Sequence, residues 1–213
     1  HDLKNPLSGI LLSITSLKKN INRFSNEDVI SRLDKTEKIT QRMQEIIKHL
    51  LDVNAIERGD YNLSSAEINI VDLIKETIDE MYEEISAKKI ELTFDPSHDK
   101  IILKCDMIAL REIMTNLISN ALKYSHPGSN VAVKAYYKSG AVIIDVIDNG
   151  LGIRQDEITK VFKKFAKTSN KPTAGESSTG LGLSIVEKLT ELMNGEVSVI
   201  SEEGKGSTFT LKF

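Results

Sequence analysis

Apolar residues recur at alternating spacings of four and three along residues 3–54, and beyond that stretch the alternation stops. Leu3, Leu7, Ile10, Ile14, Leu17, Ile21 and Phe24 trace one seam, and Val29, Leu33, Thr36, Thr40, Met43, Ile47, Leu50 and Asn54 trace another. That is the heptad period of bundle helices. Ser25-Asn26-Glu27-Asp28 interrupts the pattern and supplies N-cap chemistry for the second helix, which Arg58-Gly59-Asp60 ends through a left-handed glycine. Two helices joined by so short a turn form an antiparallel hairpin. A hairpin cannot enclose its own seam, so the sequence predicts half of a dimeric four-helix bundle, a homodimer through the hairpin. The alternative is a hairpin that packs on its own downstream domain.

From about residue 62 the period changes. A short strand at 68–70 leads into an amphipathic helix over 71–87, strands at 90–94 and 101–105, and a helix capped by Asp106 and running to Tyr124. Segments 131–137 and 141–147 read as strands joined by a Ser139-Gly140 turn, a helix covers 182–193, and 196–200 with 207–213 closes the chain as a hairpin. The expected fold is therefore α+β: a helical hairpin, then an α/β sandwich with a mixed sheet and helices on one face. The expected domains are 1–60 and 61–213. Residues 162–178 are polar, aperiodic and include Pro172 and Gly175, so a mobile loop is expected there.

Composition removes several classes of function. Acids and bases are interspersed at a net charge of −3, which offers no basic patch for nucleic acid or anionic lipid. The single cysteine, Cys105, rules out a disulfide framework and fits a structural thiol in a reducing, cytoplasmic setting. No apolar run reaches the roughly 20 residues that span a bilayer. The chain opens on His1 in mid-pattern, so an upstream sensor, with or without membrane spans, is expected to precede this fragment.

Three motifs in the second half point to a nucleotide. Asn116, Asn120 and Lys123 fall at spacings of four and three, which puts two amides and an ammonium on one helix face. An asparagine oxygen suits Mg²⁺, which keeps waters and binds phosphate oxygens as well, and Lys123 suits a phosphate as a point charge. Asp148 ends a strand and precedes Asn149, Gly150 and Gly152. A carboxylate there needs a donor, which the amino group of adenine supplies; read alone, Asp-Asn-Gly is equally an ordinary turn. Thr179-Gly180-Leu181-Gly182-Leu183 meets a helix N-terminus, whose free N–H groups suit phosphates. Two glycines also simply permit a tight turn.

Taken with His1-Asp2-Leu3-Lys4-Asn5-Pro6, the order and spacing of these motifs resemble the catalytic core of a two-component sensor histidine kinase. The second half resembles the ATP-binding fold shared by those kinases, gyrase-type ATPases, Hsp90-type chaperones and the MutL repair proteins. The resemblance implies ATP and Mg²⁺ as ligands, Asn120 as the Mg²⁺-binding residue and Asp148 as the reader of adenine. It matches Phe162 and Phe165 to the aromatic box before the ATP lid, and Gly180 and Gly182 to the glycine box after it. Tyr124, Gly150, Gly152, Ile153, Lys167, Thr179, Leu181, Leu183 and Thr208 complete the implied nucleotide site, Thr208 through the closing G-x-G-T-x-F-like hairpin 204–209.

The hydrolysing relatives carry a general-base glutamate where this chain has Asn116, which cannot take a proton. The site is thus expected to hold ATP for an acceptor from elsewhere. His1 is that expected acceptor, facing solvent one residue off the seam, and Asp2 is its expected general base, one methylene shorter than the usual glutamate. Asn5, on the same face, is implied as the residue positioning water for dephosphorylation, and Pro6 is expected to bend the helix. The implied partner is a response-regulator receiver domain. A non-catalytic scaffold and an ATPase or chaperone of the same fold are the competing readings.

Overall fold

The computed structural model describes residues 3–166, 168–176 and 178–213, without the side chains of Asn22, Arg42, Glu45, Val53 and Glu57. His1, Asp2 and Lys167, the expected acceptor, its expected base and one lysine of the expected lid, lie outside the described residues. Contacts divide the chain into His1–Asn54 and Ala55–Phe213, a division that falls within one helix.

In the first unit, α1 spans Lys4–Asn20, a 3-10 turn covers Ile21–Arg23, and α2 spans Asn26–Arg58. Ser25 opens α2 by reciprocal capping: its Oγ accepts from Asp28 N–H at 3.1 Å, while Asp28 Oδ2 accepts from Ser25 N–H at 3.2 Å. These bonds hold the Asp28 carboxyl below its ordinary range. The helices run antiparallel, with Gly9 against Ile39 and Ser13 bonded to Thr36 at 2.7 Å. The seam is therefore not wholly apolar. Leu7, Ile14, Leu33 and Ile47 remain exposed along it. Pro6 sits in the first turn of the described helix, where its missing N–H is tolerated, rather than kinking an interior turn.

In the second unit, β1 (Ser65–Asn69) pairs antiparallel with β3 (Ile102–Asp106). The main sheet holds β2 (Glu91–Pro96), β4 (Asn130–Lys138), β5 (Ala141–Asp148), β6 (Glu196–Glu202) and β7 (Gly206–Lys212) in the order β2-β4-β5-β7-β6. Only β2–β4 is parallel, so the sheet is mixed. Ser139 and Gly140 both take positive φ between β4 and β5, the two-residue hairpin turn that suits twisted strands.

The helices are α3 (Ile70–Glu80), α4 (Tyr82–Lys88), α5 (Met107–Tyr124), the short α6 (Gln155–Ile158) and α7 (Gly182–Leu192). Asp106 caps α5 by accepting from Ala109 N–H at 2.8 Å. Ile113, Met114, Leu117 and Ile118 of α5 are fully buried, as are Ile144 and Leu211 of the sheet and Ile185 and Val186 of α7. At roughly 1.5–3 kcal/mol per buried aliphatic side chain, this layer holds the unit together. One expectation fails here. The helix foreseen over 71–87 is broken at Met81 (φ −96°, ψ 8°) into α3 and α4, without any proline or glycine. The break lets Met81 and Lys88 both bury, a demand set by tertiary packing and not by local propensity.

Candidate nucleotide-binding site

The site gathers around the C-terminal half of α5. Asn116, Asn120, Lys123 and Tyr124 are all half-buried on it. Asn116 is committed to packing: its amide donates to Glu112 O at 2.9 Å, and its Oδ1 lies where a Cβ on Gly182 would come within 2.6 Å. A larger residue at 182 would displace the Asn116 amide. The side chain of Asn120, one turn on, makes no hydrogen bond to any described residue, so its amide oxygen keeps its full capacity for a ligand.

Asp148 sits at the end of β5, only 5 % exposed. Burial pushes its carboxyl up to about 6, against the pull of hydrogen bonds from Gly150 N–H and from Ser207. The Gly150 bond measures 2.9 Å. The loop that follows is stitched to both neighbours: Leu151 N–H donates to Tyr124 O at 3.0 Å, and Ile153 N–H to Ser201 Oγ at 2.8 Å. Gly152 takes φ +65°, and a Cβ there would stand 2.0 Å from Glu202 O. No other residue fits that approach. Asp148 and the loop after it are thus welded to α5 on one side and to the β6–β7 hairpin on the other.

Thr208 does not lie beside Asp148. Strand partners directly opposite share a face, and Asp148 pairs with Ser207, whereas Thr208 pairs with Ile147 and Ile200 on the other face. Ser207, 7 % exposed, is the hydroxyl that meets Asp148, and Thr208 lies on the opposite face of the sheet. The period-2 rule applied from Asp148 through the closing hairpin was the signal for it.

At the other end, α7 opens at Gly182 with no side-chain cap on its first N–H groups. Thr179 Oγ1 accepts from Leu181 N–H at 3.3 Å and shapes the turn, Leu181 is fully buried, and Leu183 is half-buried. Free N–H groups and the positive end of an eleven-residue helix are suited to phosphate oxygens. Gly180 lies against the backbone of Phe165 and Ala166, which joins the glycine pair to the start of the lid. Phe162 packs edge-on against Phe209 at 6.4 Å, while Phe165 is exposed.

The lid is held more firmly than its composition suggests. It lacks apolar anchors, but Ser169 N–H donates to Glu157 at 2.8 Å, Asn170 Nδ2 to Gly152 O at 2.7 Å, and Thr173 N–H to Lys123 O at 3.0 Å. Asn5 of the hairpin is exposed in the first turn of α1. Cys105 is buried and its thiol is pushed up to about 11, chiefly by burial and further by Asp106, which leaves it inert.

Among the described residues no cluster of three or more His, Cys, Asp or Glu side chains stands ready for a metal. The donor set fits Mg²⁺ only as an ion carried mainly by phosphate oxygens and water, with Asn120 adding one protein oxygen.

Residues 105–213 match the family described as histidine kinase-, DNA gyrase B-, and HSP90-like ATPase, and residues 1–59 match the His Kinase A (phospho-acceptor) domain. The chain belongs to the sensor histidine kinases of two-component systems, and its second half is an ATP-binding domain of that family. The autoinducer 2 sensor kinase/phosphatase LuxQ of Vibrio vulnificus is 33% identical over 99% of this chain, which spans 25% of LuxQ. In fold, the chain is similar to the histidine kinase AdeS of Acinetobacter baumannii, with a TM-score of 0.83 at 18% identity over 100% of this chain and 96% of AdeS. It is also similar to the histidine kinase ThkA, solved in complex with the response regulator protein TrrA. There the TM-score is 0.80 at 21% identity, over 100% of this chain and 58% of ThkA. No helix among the described residues is long and apolar enough to cross a membrane.

Proposed function

We propose that this chain is the catalytic core of a larger signalling kinase that phosphorylates His1 from Mg²⁺–ATP and passes the phosphoryl group to an aspartate of a response-regulator receiver domain. The observation that carries the proposal is the state of Asn116. It stands where a hydrolase needs a general base, it is spent on packing α5 against Gly182, and it leaves the phosphate end without a proton acceptor at that position. A site that holds ATP and offers no activated water calls for a nucleophile from another unit.

The chain's own groups divide the work as follows. Asp148 accepts a hydrogen bond from the adenine amino group, and its buried setting disfavours the carbonyl that guanine would present there. The N–H groups at the start of α7, with Lys123 and the lid lysines Lys164 and Lys167, hold the phosphates. Bound Mg²⁺ would supply charge neutralisation on the phosphate oxygens, with Asn120 as its protein ligand. Asp2 takes the proton from one imidazole nitrogen of His1 while the other attacks the γ-phosphorus, and ADP leaves. Asn5, exposed on α1, positions the water for phosphatase action on the regulator. Two hairpins pair into a four-helix bundle, which would cover Leu7, Ile14, Leu33 and Ile47. The use of ATP places the core in the cytoplasm, downstream of a sensor.

The test is incubation with γ-labelled ATP followed by acid and alkali treatment. An acid-labile, alkali-stable label that disappears in His1→Gln, with ATP binding retained, is the expected result. Retained acid-labile label in His1→Gln overturns the acceptor, and hydrolysis without labelling favours the ATPase reading.

A further inference from the structure

We propose that Lys88 is a positioning residue of the nucleotide site, clamping the end of α5 and the ATP lid together through one ammonium group; this rests on the nucleotide reading above. Lys88 is the last residue of α4 and is only 8 % exposed. A buried ammonium is costly unless its donors are met. All three are. Lys88 Nζ donates to Leu122 O at 2.7 Å, to Lys123 O at 3.0 Å, and to Glu176 Oε1.

The first two acceptors are among the last carbonyls of α5, which have no partner inside the helix and form its negative end. The third belongs to the lid. Around this one cation the lid and helix interlock further: Thr173 N–H shares the Lys123 carbonyl at 3.0 Å, and Thr173 Oγ1 donates to Ser125 O. Glu176 Oε2 accepts from Ala174 N–H at 2.8 Å. Burial pushes the Glu176 carboxyl up, but the Lys88 hydrogen bond and the backbone N–H groups of Glu176 and Ala174 outweigh it, so it lies below its ordinary value and stays ionised.

The consequence for function follows from what α5 carries. Asn120 and Lys123 face the nucleotide from the same last turns whose carbonyls Lys88 holds. The lid touches that helix end at Thr173 and, through Lys88, at Glu176, shortly before Gly180 and the α7 N-terminus. One ammonium therefore fixes the distance between the floor that carries the Mg²⁺ ligand and the strap that follows the phosphates, before any nucleotide arrives. Such preorganisation strengthens binding by removing an ordering cost.

The bland alternative is that Lys88 merely caps α5 and Glu176 is its counter-ion. Glu176→Gln separates the two, because the glutamine Nε2 replaces one of the two oxygens that now accept separately from Lys88 and from Ala174 N–H, and meets a donor there. The measurements are calorimetric titration with Mg²⁺–ATP and nucleotide-free melting, in a His1→Gln background so that no transfer consumes the ligand. Glu176→Gln should raise the Kd for Mg²⁺–ATP at least about fivefold, with a smaller loss of nucleotide-free Tm than Lys88→Met causes. Lys88→Met should raise Kd and lower Tm, and the double variant should bind no worse than Lys88→Met alone. Wild-type affinity in Glu176→Gln, or losses that multiply in the double variant, overturns the clamp. If Lys88→Met does not fold, hydrogen exchange in Glu176→Gln decides: faster exchange at Thr173 and Ala174 supports the clamp, and unchanged exchange overturns it. Failure of the parent itself to bind Mg²⁺–ATP would overturn the nucleotide reading, and the clamp with it.

Discussion

Asp148→Asn should make the nucleotide-free protein more stable and its nucleotide binding worse, by amounts that depend on pH in a defined way. The Asp148 carboxyl is lifted from 3.8 to about 6, chiefly by burial. A folded-state value above the unfolded one means that the stabilising contribution is fully present below pH 3.8 and is lost as pH rises through about 6. At about 1.4 kcal/mol per pH unit, the ionised group withholds about 3 kcal/mol from the fold at pH 7. Asparagine carries no charge and keeps an oxygen for Gly150 N–H and an amide donor for Ser207 Oγ, though that amide loses the bond now accepted from Ser207 N–H.

The variant should therefore gain about 1–3 kcal/mol at pH 7.5, the lower figure allowing for the lost charge-assisted bonds. Denaturant melts of the nucleotide-free chain at a series of pH values read this directly. The gap between variant and wild type should close as pH falls from 7 to 4. Calorimetry should show the cost: loss of a hydrogen bond to a charged acceptor weakens ATP binding about 10- to 100-fold at pH 7.5. Wild-type affinity should itself fall below pH 6 as Asp148 protonates, whereas the variant's should be flat there. A destabilised variant, or a stability gap that does not change with pH, would refute the assignment of Asp148 as a carboxylate kept buried for its ligand.

Other substitutions probe the rest of the site. Gly152→Ala should cost about 2–4 kcal/mol through its positive φ and its clash with Glu202 O, and should lower Tm along with nucleotide affinity. Asn120→Ala should leave Tm nearly unchanged, since its amide bonds to no described residue, but should abolish the Mg²⁺ dependence of ATP binding; a large loss of Tm would make Asn120 structural. Hydrogen exchange over residues 168–176 should slow on adding Mg²⁺–ATP, because polar anchors on the surface open more readily than a packed core; equal, strong protection in both states would make the lid a fixed loop.

Most of the fold was legible because period carries it. A four-three alternation in the first half and two-residue alternation in 131–137 and 141–147 survive any detail of packing, and the Ser139-Gly140 turn and the Asp106 cap are local chemistry. The break at Met81 was not legible, since nothing in Glu80-Met81-Tyr82 disfavours a helix, and the residues buried on either side of it, Ile74 and Thr77 before and Lys88 after, are set by tertiary packing. The polar pair Ser13–Thr36 was hidden for the opposite reason, as Thr36 kept the heptad spacing while serving a hydrogen bond.

At the site, Asn116, Asn120, Asp148 and the glycines were legible because each is an unusual residue for its place in a helix or strand. Motif spacing singled out Thr208 and passed over its neighbour Ser207, which is the one opposite Asp148. The strand rule, once Asp148 is fixed, puts position 207 beside it and 208 behind the sheet, and serine there is small enough to lie under the buried carboxylate. Lys88 had no signal at all. In Ala87-Lys88-Lys89 it reads as the basic end of a helix, one of two adjacent lysines, and only the third dimension distinguishes them: Lys89 turns left-handed and exposed, while Lys88 goes inward to Leu122, Lys123 and Glu176. A residue whose partners lie 34 to 88 positions away in the chain cannot be found by period or motif. Its chemistry is set by where α5 ends and where the lid returns, which are properties of the fold.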